Sequence, residues 1–324
     1  QEPHIPIYLY LPNVSLLRQD KEKYIIIIAG PTAVGKTALS FALATKYNAE
    51  IFSADSRQVY KEMSIGTAKP TESELAQVKH HFINNRSIQD GYSVGDYHNE
   101  ITEALATYFD THDVAILTGG TGMYIHAVRA GLNNYPTVSE EIVTDLEETL
   151  RIGGIEMLQN ELEESDPEYY DKVDIHNPAR LVRALSVIHE TGETFTSFQQ
   201  KEKHGLPYTM IPILLTRDRE ELYKRIDDRV HNMMKNGLLA EARELYNDRD
   251  LKSLQTVGYN ELMRHISGTI DIVAAVELIQ RHSRRYAKRQ MTWFRKYGEW
   301  HNFHPDDQTA IEALVDQSIV KPNA

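Results

Sequence analysis

The chain has 324 residues, enough for one large core or two modest ones, and its 41% apolar and 25% charged fractions are those of an ordinary folded protein. It contains no cysteine, which excludes disulfides, thiolate zinc sites and cysteine nucleophiles and suits a reducing, cytoplasmic setting. Its net charge of −12 counts, as an average, against a polyanion partner, and no run approaches the roughly 18 apolar residues that a membrane helix needs.

Residues 1–23 are read as an N-terminal extension, native or not, outside the fold. Pro3, Pro6 and Pro12 and the lack of a basic lead-in make its apolar stretch a poor secretory signal. The run YIIIIA at 24–29 then predicts a buried parallel strand, followed by a glycine loop and a helix from about Gly35 to Tyr47. AEIFSADS predicts a second strand ending at Asp55. DVAILTGGTGMYIHAV predicts a strand over 113–118, a glycine turn and a helix. Between about 133 and 205 the sequence becomes acidic and helix-patterned with no strand signal. TMIPILL at 209–215 predicts a further strand, with Asp218 near the start of the next helix, and the remainder reads as helical. The expected fold is therefore α/β: a P-loop-type parallel sheet core (24–132 and 206–324), with a helical insertion (133–205) and a helical C-terminal region.

Gly30-Pro31-Thr32-Ala33-Val34-Gly35-Lys36-Thr37 is G-x4-G-K-T between an apolar strand and a helix, the context in which this motif holds phosphate. The glycines let successive N–H groups turn inward, Lys36 adds a cation, Thr37 is placed to ligate Mg²⁺, and the helix N-terminus contributes its positive end. Nucleotide-splitting P-loop proteins also place an acid at the C-terminal end of a strand to hold the metal. Here Asp113 precedes its strand, whose end carries Thr118-Gly119-Gly120-Thr121. The nearest usable carboxylate is Asp55, at a strand end that should face the loop. On the loop alone, a P-loop small-molecule kinase remains the alternative.

The series GPTAVGKT (30–37), SADSRQVY (53–60), IGTAKP (65–70), GGTGMY (119–124), NPARLVRAL (177–185), DREELYKRIDDRV (218–230), GLLAEA (237–242), VGYNEL (257–262) and RRYAKRQMTWFR (284–295) resembles the tRNA dimethylallyltransferases (tRNA isopentenyltransferases) of the bacterial type. The resemblance covers about residues 24–300. It implies a prenyltransferase that moves a dimethylallyl group from dimethylallyl diphosphate to the exocyclic amine of an adenine. That adenine lies directly 3′ of the anticodon, at tRNA position 37. The loop would then hold a diphosphate leaving group.

On this resemblance Asp55 is the catalytic base, accepting the amine proton as the C–N bond forms. Ser56, Arg57 and Gln58 line the same pocket, Gln58 offering its amide to the base edge. Thr32 lies near the reacting centre, Thr121 contacts the target nucleotide, and Arg219 binds diphosphate. Lys69, in GTAKP, is a further candidate for phosphate contact. Arg180 and Arg183 grip the anticodon stem-loop or else pair with local acids such as Glu190. The adenine has to leave its stack to reach a buried pocket. The expected partners are tRNA and dimethylallyl diphosphate, with no membrane, and the protein acts as a monomer.

One C-terminal segment breaks the acidic average. Residues 281–296 hold seven Lys and Arg and no acid. As a helix, Arg281, Arg284, Arg285, Lys288, Arg289, Arg295 and Lys296 fall in a sector of roughly 140°. Such a stripe suits an RNA backbone, with Tyr286, Ala287, Trp293 and Phe294 docked on the opposite side.

Overall fold

The computed structural model of the chain describes residues 22–133, 135–199 and 205–320. The extension expected over 1–23 lies outside these residues apart from Glu22 and Lys23. Those two are fastened to the fold: Lys23 Nζ lies 2.8 Å from Asp113 Oδ1, and Glu22 accepts a 2.9 Å hydrogen bond from the Tyr24 hydroxyl. The chain divides into two compact units, one running through Ile125 and resuming at Pro207, the other His126–Leu206.

The first unit is built on six parallel strands: β1 Tyr24–Ala29, β2 Ile51–Ser53, β3 His80–His81, β4 Val114–Gly119, β5 Thr209–Leu215 and β6 His301–Phe303, in the order β3-β2-β4-β1-β5-β6. β1 lies between β4 and β5, with Ile26 opposite Ile116 on one side and Ile211 on the other. All six of its residues are buried. A run of β-branched side chains with no polar alternation suits a strand covered on both faces. Helices α1 Lys36–Tyr47, α2 Glu72–Gln77, α3 Val94–Tyr108 and α4 Gly122–Ala130 follow the first four strands in the chain. Ile26, Ile28, Leu43, Ile51, Ile116 and Ile213 share one core.

The second unit is helical and has no strand among its described residues: α5 Glu140–Gly153, α6 Ile155–Ser165, α7 Pro167–Tyr170, α8 Pro178–Thr191 and α9 Phe195–Gln199. Leu146, Leu158, Leu162, Leu181, Leu185 and Phe195 form its core. Asp166, 1% exposed, organises one end. Its carboxylate caps α7 through Tyr169 N–H at 3.1 Å and accepts from Thr196 N–H and the Thr196 hydroxyl, both at 2.8 Å. The two Thr196 donors would otherwise be orphans inside the unit.

The chain then completes the first unit with α10 Arg219–Lys235, α11 Leu238–Glu244, α12 Tyr259–Ile266, α13 Ile272–Lys296 and α14 Gln308–Val320. β1 and β5 fall on the expected residues. The second strand stops at Ser53, two residues before Asp55. There the chain turns away: Ala54 N–H bonds to Thr118 O at 2.7 Å, and the Asp55 side chain accepts from the backbone beyond it. The edge strands β3 and β6 are two and three residues long, too short to show a pattern in sequence. Backbone pairing alone defines them, His80 against Ile51 and His301 against Ile213. The carboxyl ends of β1, β2, β4 and β5 open on one side of the sheet, where ligands of such sheets bind.

Candidate active site

The loop after β1 takes the shape its glycines permit. Gly30 and Gly35 have φ of 151° and 121°, and Ala33 between them has φ of 64°. A Cβ on Gly30 would lie 2.9 Å from Leu215 O, so only glycine lets the loop sit against β5. Lys36 donates to Gly30 O and Pro31 O, both at 2.9 Å. Burial pushes the Lys36 ammonium down to about 8, the Asp55 charge working against that shift and Arg229 adding to it. The Thr37 side chain is exposed, lines the cavity and has no hydrogen-bond partner among the described residues.

A cavity of about 1120 Å³ opens from this loop. Asp55 stands in its wall, half-buried. Its Oδ1 accepts from Arg57 N–H at 2.9 Å and Gln58 N–H at 3.3 Å, while Oδ2 makes no hydrogen bond among the described residues. Ser56, Arg57 and Gln58 also line the wall. The Gln58 amide is spent on Thr67 O and Ala68 O, at 3.2 and 3.3 Å, so it holds the next loop. Arg57 Nη1 donates to Ser253 O at 3.0 Å.

Thr121 serves as a brace. Its N–H donates to Ala54 O at 3.1 Å, and its hydroxyl accepts from Ser56 N–H at 3.0 Å. Gly119 explains the first glycine of its turn, since a Cβ there would lie 2.1 Å from Ala54 O. Three more of the quoted segments meet in one cluster. Glu241 accepts from the N–H groups of Ser64, Ile65 and Gly66 at 3.0, 2.8 and 3.0 Å and from the Tyr259 hydroxyl at 2.5 Å. One carboxylate thus pins the loop that Gln58 also holds.

The arginine expectation needs correction. Arg219 is exposed, lies 5.2 Å over the Tyr223 ring and is absent from the cavity wall. The wall arginines of α10 are Arg225 and Arg229. Arg225 Nε donates to Ala33 O at 2.9 Å. Arg229 is desolvated enough that burial pushes its guanidinium down against the pull of Asp55. Arg217 clasps the loop from behind, its Nε 2.8 Å from Val34 O. Lys69 staples its own loop through Asn84 Oδ1 at 2.6 Å and Tyr60 O, and it too is outside the wall.

On α13, Arg281, Arg285, Lys288, Arg289, Arg295 and Lys296 are exposed as expected. Arg284 is half-buried and paired with Asp227. Ala287 and Phe294 are buried. Tyr286 departs from the expectation that it docks on the body. It is 37% exposed and lines the cavity, and burial and then the Asp55 charge raise its hydroxyl to about 12. Gln290, unmarked by the sequence reading, is buried between two loops: it accepts from Thr32 N–H at 3.0 Å and donates to Gly120 O at 2.9 Å. In the second unit Arg180 and Arg183 are exposed, Arg183 lying 5.4 Å over Tyr135. Glu190 is instead engaged by Ser139 N–H at 2.9 Å.

No group of three or more His, Asp or Glu able to hold a metal occurs among the described residues, and no helix among them is long and apolar enough to cross a membrane. Asp113 sits at the start of β4 beside Lys23, at the other end of the strand from the loop, so it cannot serve as a metal acid there. A phosphate loop on a parallel sheet, with its acid just past the end of β2 and its cations on α1 and α10, suits a P-loop transferase.

A family model described as IPP transferase matches residues 58–297. The chain belongs to the IPP transferase family. It is 46% identical over 293 residues to the tRNA dimethylallyltransferase of Christiangramia forsetii, covering 90% of this chain and 97% of that protein. The tRNA dimethylallyltransferase 1 of Bacteroides fragilis is 43% identical over 297 residues, 92% of this chain and 99% of the relative. Among solved structures, the full-length tRNA isopentenylpyrophosphate transferase of Bacillus halodurans matches at TM-score 0.68 and 35% identity, over 93% of this chain and 97% of that one. A eukaryotic dimethylallyltransferase acting on tRNA matches at TM-score 0.77 and 25% identity, over 92% and 78%. These matches do not favour the small-molecule kinase alternative.

Proposed function

We propose that this chain transfers a dimethylallyl group from dimethylallyl diphosphate to the exocyclic amine of the adenine at tRNA position 37, releasing diphosphate. The observation that carries this reading is the charge arrangement at the loop. Lys36, Arg225 and Arg229 share the cavity wall with Asp55 and Glu74, and burial lowers Lys36 and Arg229 against the pull of the Asp55 charge. With Arg57 and Arg289 also in the wall, the cations outnumber the two acids and leave a surplus that a diphosphate would satisfy. In the transfer, the amine nitrogen bonds to the allylic carbon as the carbon–oxygen bond breaks. The electron pair leaves with the diphosphate, and the amine proton passes to Asp55 Oδ2. The loop N–H groups, Lys36 and Arg229 stabilise the departing charge. Thr32 lines the same cavity, with its hydroxyl available to the diphosphate or the amine.

A magnesium ion fits the donor set. The unpartnered Thr37 hydroxyl faces the cavity, and Mg²⁺ commonly takes few protein ligands alongside phosphate oxygens and water. When bound, it would offset charge on the leaving diphosphate. Tyr286 and Arg57 at the wall suit an extruded base, one by stacking and one by donating. The exposed face of α13 takes the RNA backbone, and Arg180 and Arg183 are the candidate contacts of the second unit with the anticodon stem-loop. The chain works as a monomer in the cytoplasm, which light scattering on the purified protein would check for mass.

The direct test mixes the protein with magnesium, labelled dimethylallyl diphosphate and tRNA, then repeats the incubation with ATP alone. Labelled tRNA should form only with all three, and ATP turnover should be negligible. Steady ATP hydrolysis without prenylated tRNA would overturn the reading. A second expectation concerns the basic face. Arg285→Glu combined with Lys288→Glu should weaken tRNA binding and lower the steepness of its salt dependence by about one unit per lost contact. Binding of dimethylallyl diphosphate should not change. Unaltered tRNA affinity would leave the stripe as solvated surface.

A further inference from the structure

We infer that Gln290 is a positioning residue that sets the separation between the donor loop and the loop carrying the general base. This rests on the prenyl-transfer reading for its kinetic consequences, though not for its geometry. The Gln290 side chain belongs to α13 and is 7% exposed. Its Oε1 accepts from the N–H of Thr32, in the middle of the phosphate loop, at 3.0 Å. Its Nε2 donates to Gly120 O at 2.9 Å. Gly120 is followed by Thr121, whose N–H and hydroxyl bond Ala54 O at 3.1 Å and Ser56 N–H at 3.0 Å. Those are the two neighbours of Asp55. One planar amide therefore joins the group that holds the leaving diphosphate to the group that takes the proton, through a single intervening turn.

The chemistry of the position calls for an amide. Thr32 N–H needs an acceptor and Gly120 O needs a donor, and an amide offers the two from separate atoms of one uncharged plane. Gly120 leaves the room, since a Cβ there would lie 2.3 Å from Gln290 Nε2. A buried amide with both ends satisfied is stiff, whereas one left half-satisfied is costly. Transfer between two bound substrates depends on their distance, and a misplacement of about 1 Å can cost on the order of a hundredfold in rate. Gln290 lines the cavity, but both ends of its amide are engaged by the backbone of the two loops, and it acts through them. The helix that carries it also presents the basic face, so the element proposed to dock RNA is the one that spaces the catalytic loops.

The test compares wild type with Gln290→Glu and Gln290→Met by single turnover with both substrates saturating, alongside donor and tRNA affinities and melting temperature. Both variants should lose about ten- to a hundredfold in the chemical step, with affinities near wild type. The Glu variant should have a further signature. Ionised, it offers acceptors only and sets a negative charge against Gly120 O; protonated, it regains a donor. Its rate relative to wild type should therefore climb as the pH is lowered from about 8 to about 6, because burial raises a carboxyl pKa into that range. Rates equal to wild type at saturation, or a loss confined to melting temperature or donor affinity, would overturn the assignment. If the Glu variant does not fold, the same split of rate against affinity in Gln290→Met decides. Amide hydrogen exchange at Thr32 separates this inference from the reaction assigned above. Exchange should be faster in Gln290→Met than in wild type even if no prenyl transfer is found, and unchanged exchange would remove the bridge whatever the reaction.

Discussion

Asp55→Asn should lower the single-turnover rate of prenyl transfer by at least about a hundredfold, the scale of a lost general base. The replacement is conservative for the loop. An asparagine oxygen can still accept from Arg57 N–H and Gln58 N–H, which Asp55 Oδ1 holds at 2.9 and 3.3 Å. What changes is the other arm: a proton-accepting oxygen facing the cavity becomes an NH2 group that cannot take a proton. The mutation also removes the negative charge on which Lys36 and Arg229 lean, so affinity for the anionic donor should hold or improve. A fall in turnover with an unchanged or lower donor KM is the signature of an interaction that matters in the transition state. A near-normal rate with both substrates saturating would take Asp55 out of the mechanism.

Much of this site was legible in the sequence because its parts are local. The phosphate loop is one contiguous motif whose glycines, lysine and strand-helix context can be read in order, and the four isoleucines of β1 mark a strand buried on both faces. Asp55 was reachable because a strand end on a parallel sheet points at the crevice. The misplaced arginine shows where that logic stops. Arg219, Arg225 and Arg229 lie on one helix, α10, and which of them faces the cavity depends on how that helix is rotated against α13, with Ile226 and Val230 buried. Arg229 lies seven and three residues from the buried Leu222 and Ile226, but Arg219 lies seven residues before Ile226, so helical spacing alone does not choose between them.

The same holds on α13. Gln290 lies in line with Ala287 and Phe294 at spacings of three and four, so its burial was readable, but its two partners are 258 and 170 residues away in the chain. Tyr286 went the other way. Grouped with the docking residues by its aromatic character, it faces an opening that only the folded arrangement of α13 beside the Asp55 loop creates. Glu241 was invisible as an anchor for the opposite reason: it is one acid in an acidic chain, and its value comes from three backbone N–H groups brought to it from residues 64–66. The chain's net charge of −12 and its basic helix are compatible for a physical reason. A polyanion is repelled by most of such a surface and held by the one stripe where cations cluster, which favours a single docking orientation.

Lys36→Ala should depress kcat/KM for dimethylallyl diphosphate by about thirty- to three-thousandfold. Truncating one partner of a desolvated, hydrogen-bonded charge pair costs about 2–5 kcal/mol, and each 1.4 kcal/mol is tenfold. Unlike the Asp55 variant, this one should lose both donor affinity and turnover, because the ammonium meets the diphosphate when it binds and again as it departs with added charge. The pH dependence supplies an independent check on the same group. Burial holds the Lys36 ammonium at about 8, below its ordinary 10.5. The folded, donor-free enzyme therefore carries the charge below about pH 8 and loses it as the pH rises through that value, whereas an ordinary lysine would stay charged. Donor affinity should be level below that point and fall above it by up to about tenfold per pH unit, the slope of a single required proton. Lys36→Arg keeps its charge across this range, so whatever affinity it retains should show no inflection near pH 8. Donor binding measured by isothermal titration between pH 6.5 and pH 9.5 on the two proteins reads this directly. A wild-type affinity that stays flat through pH 9 would show that the lysine is not the group that holds the diphosphate.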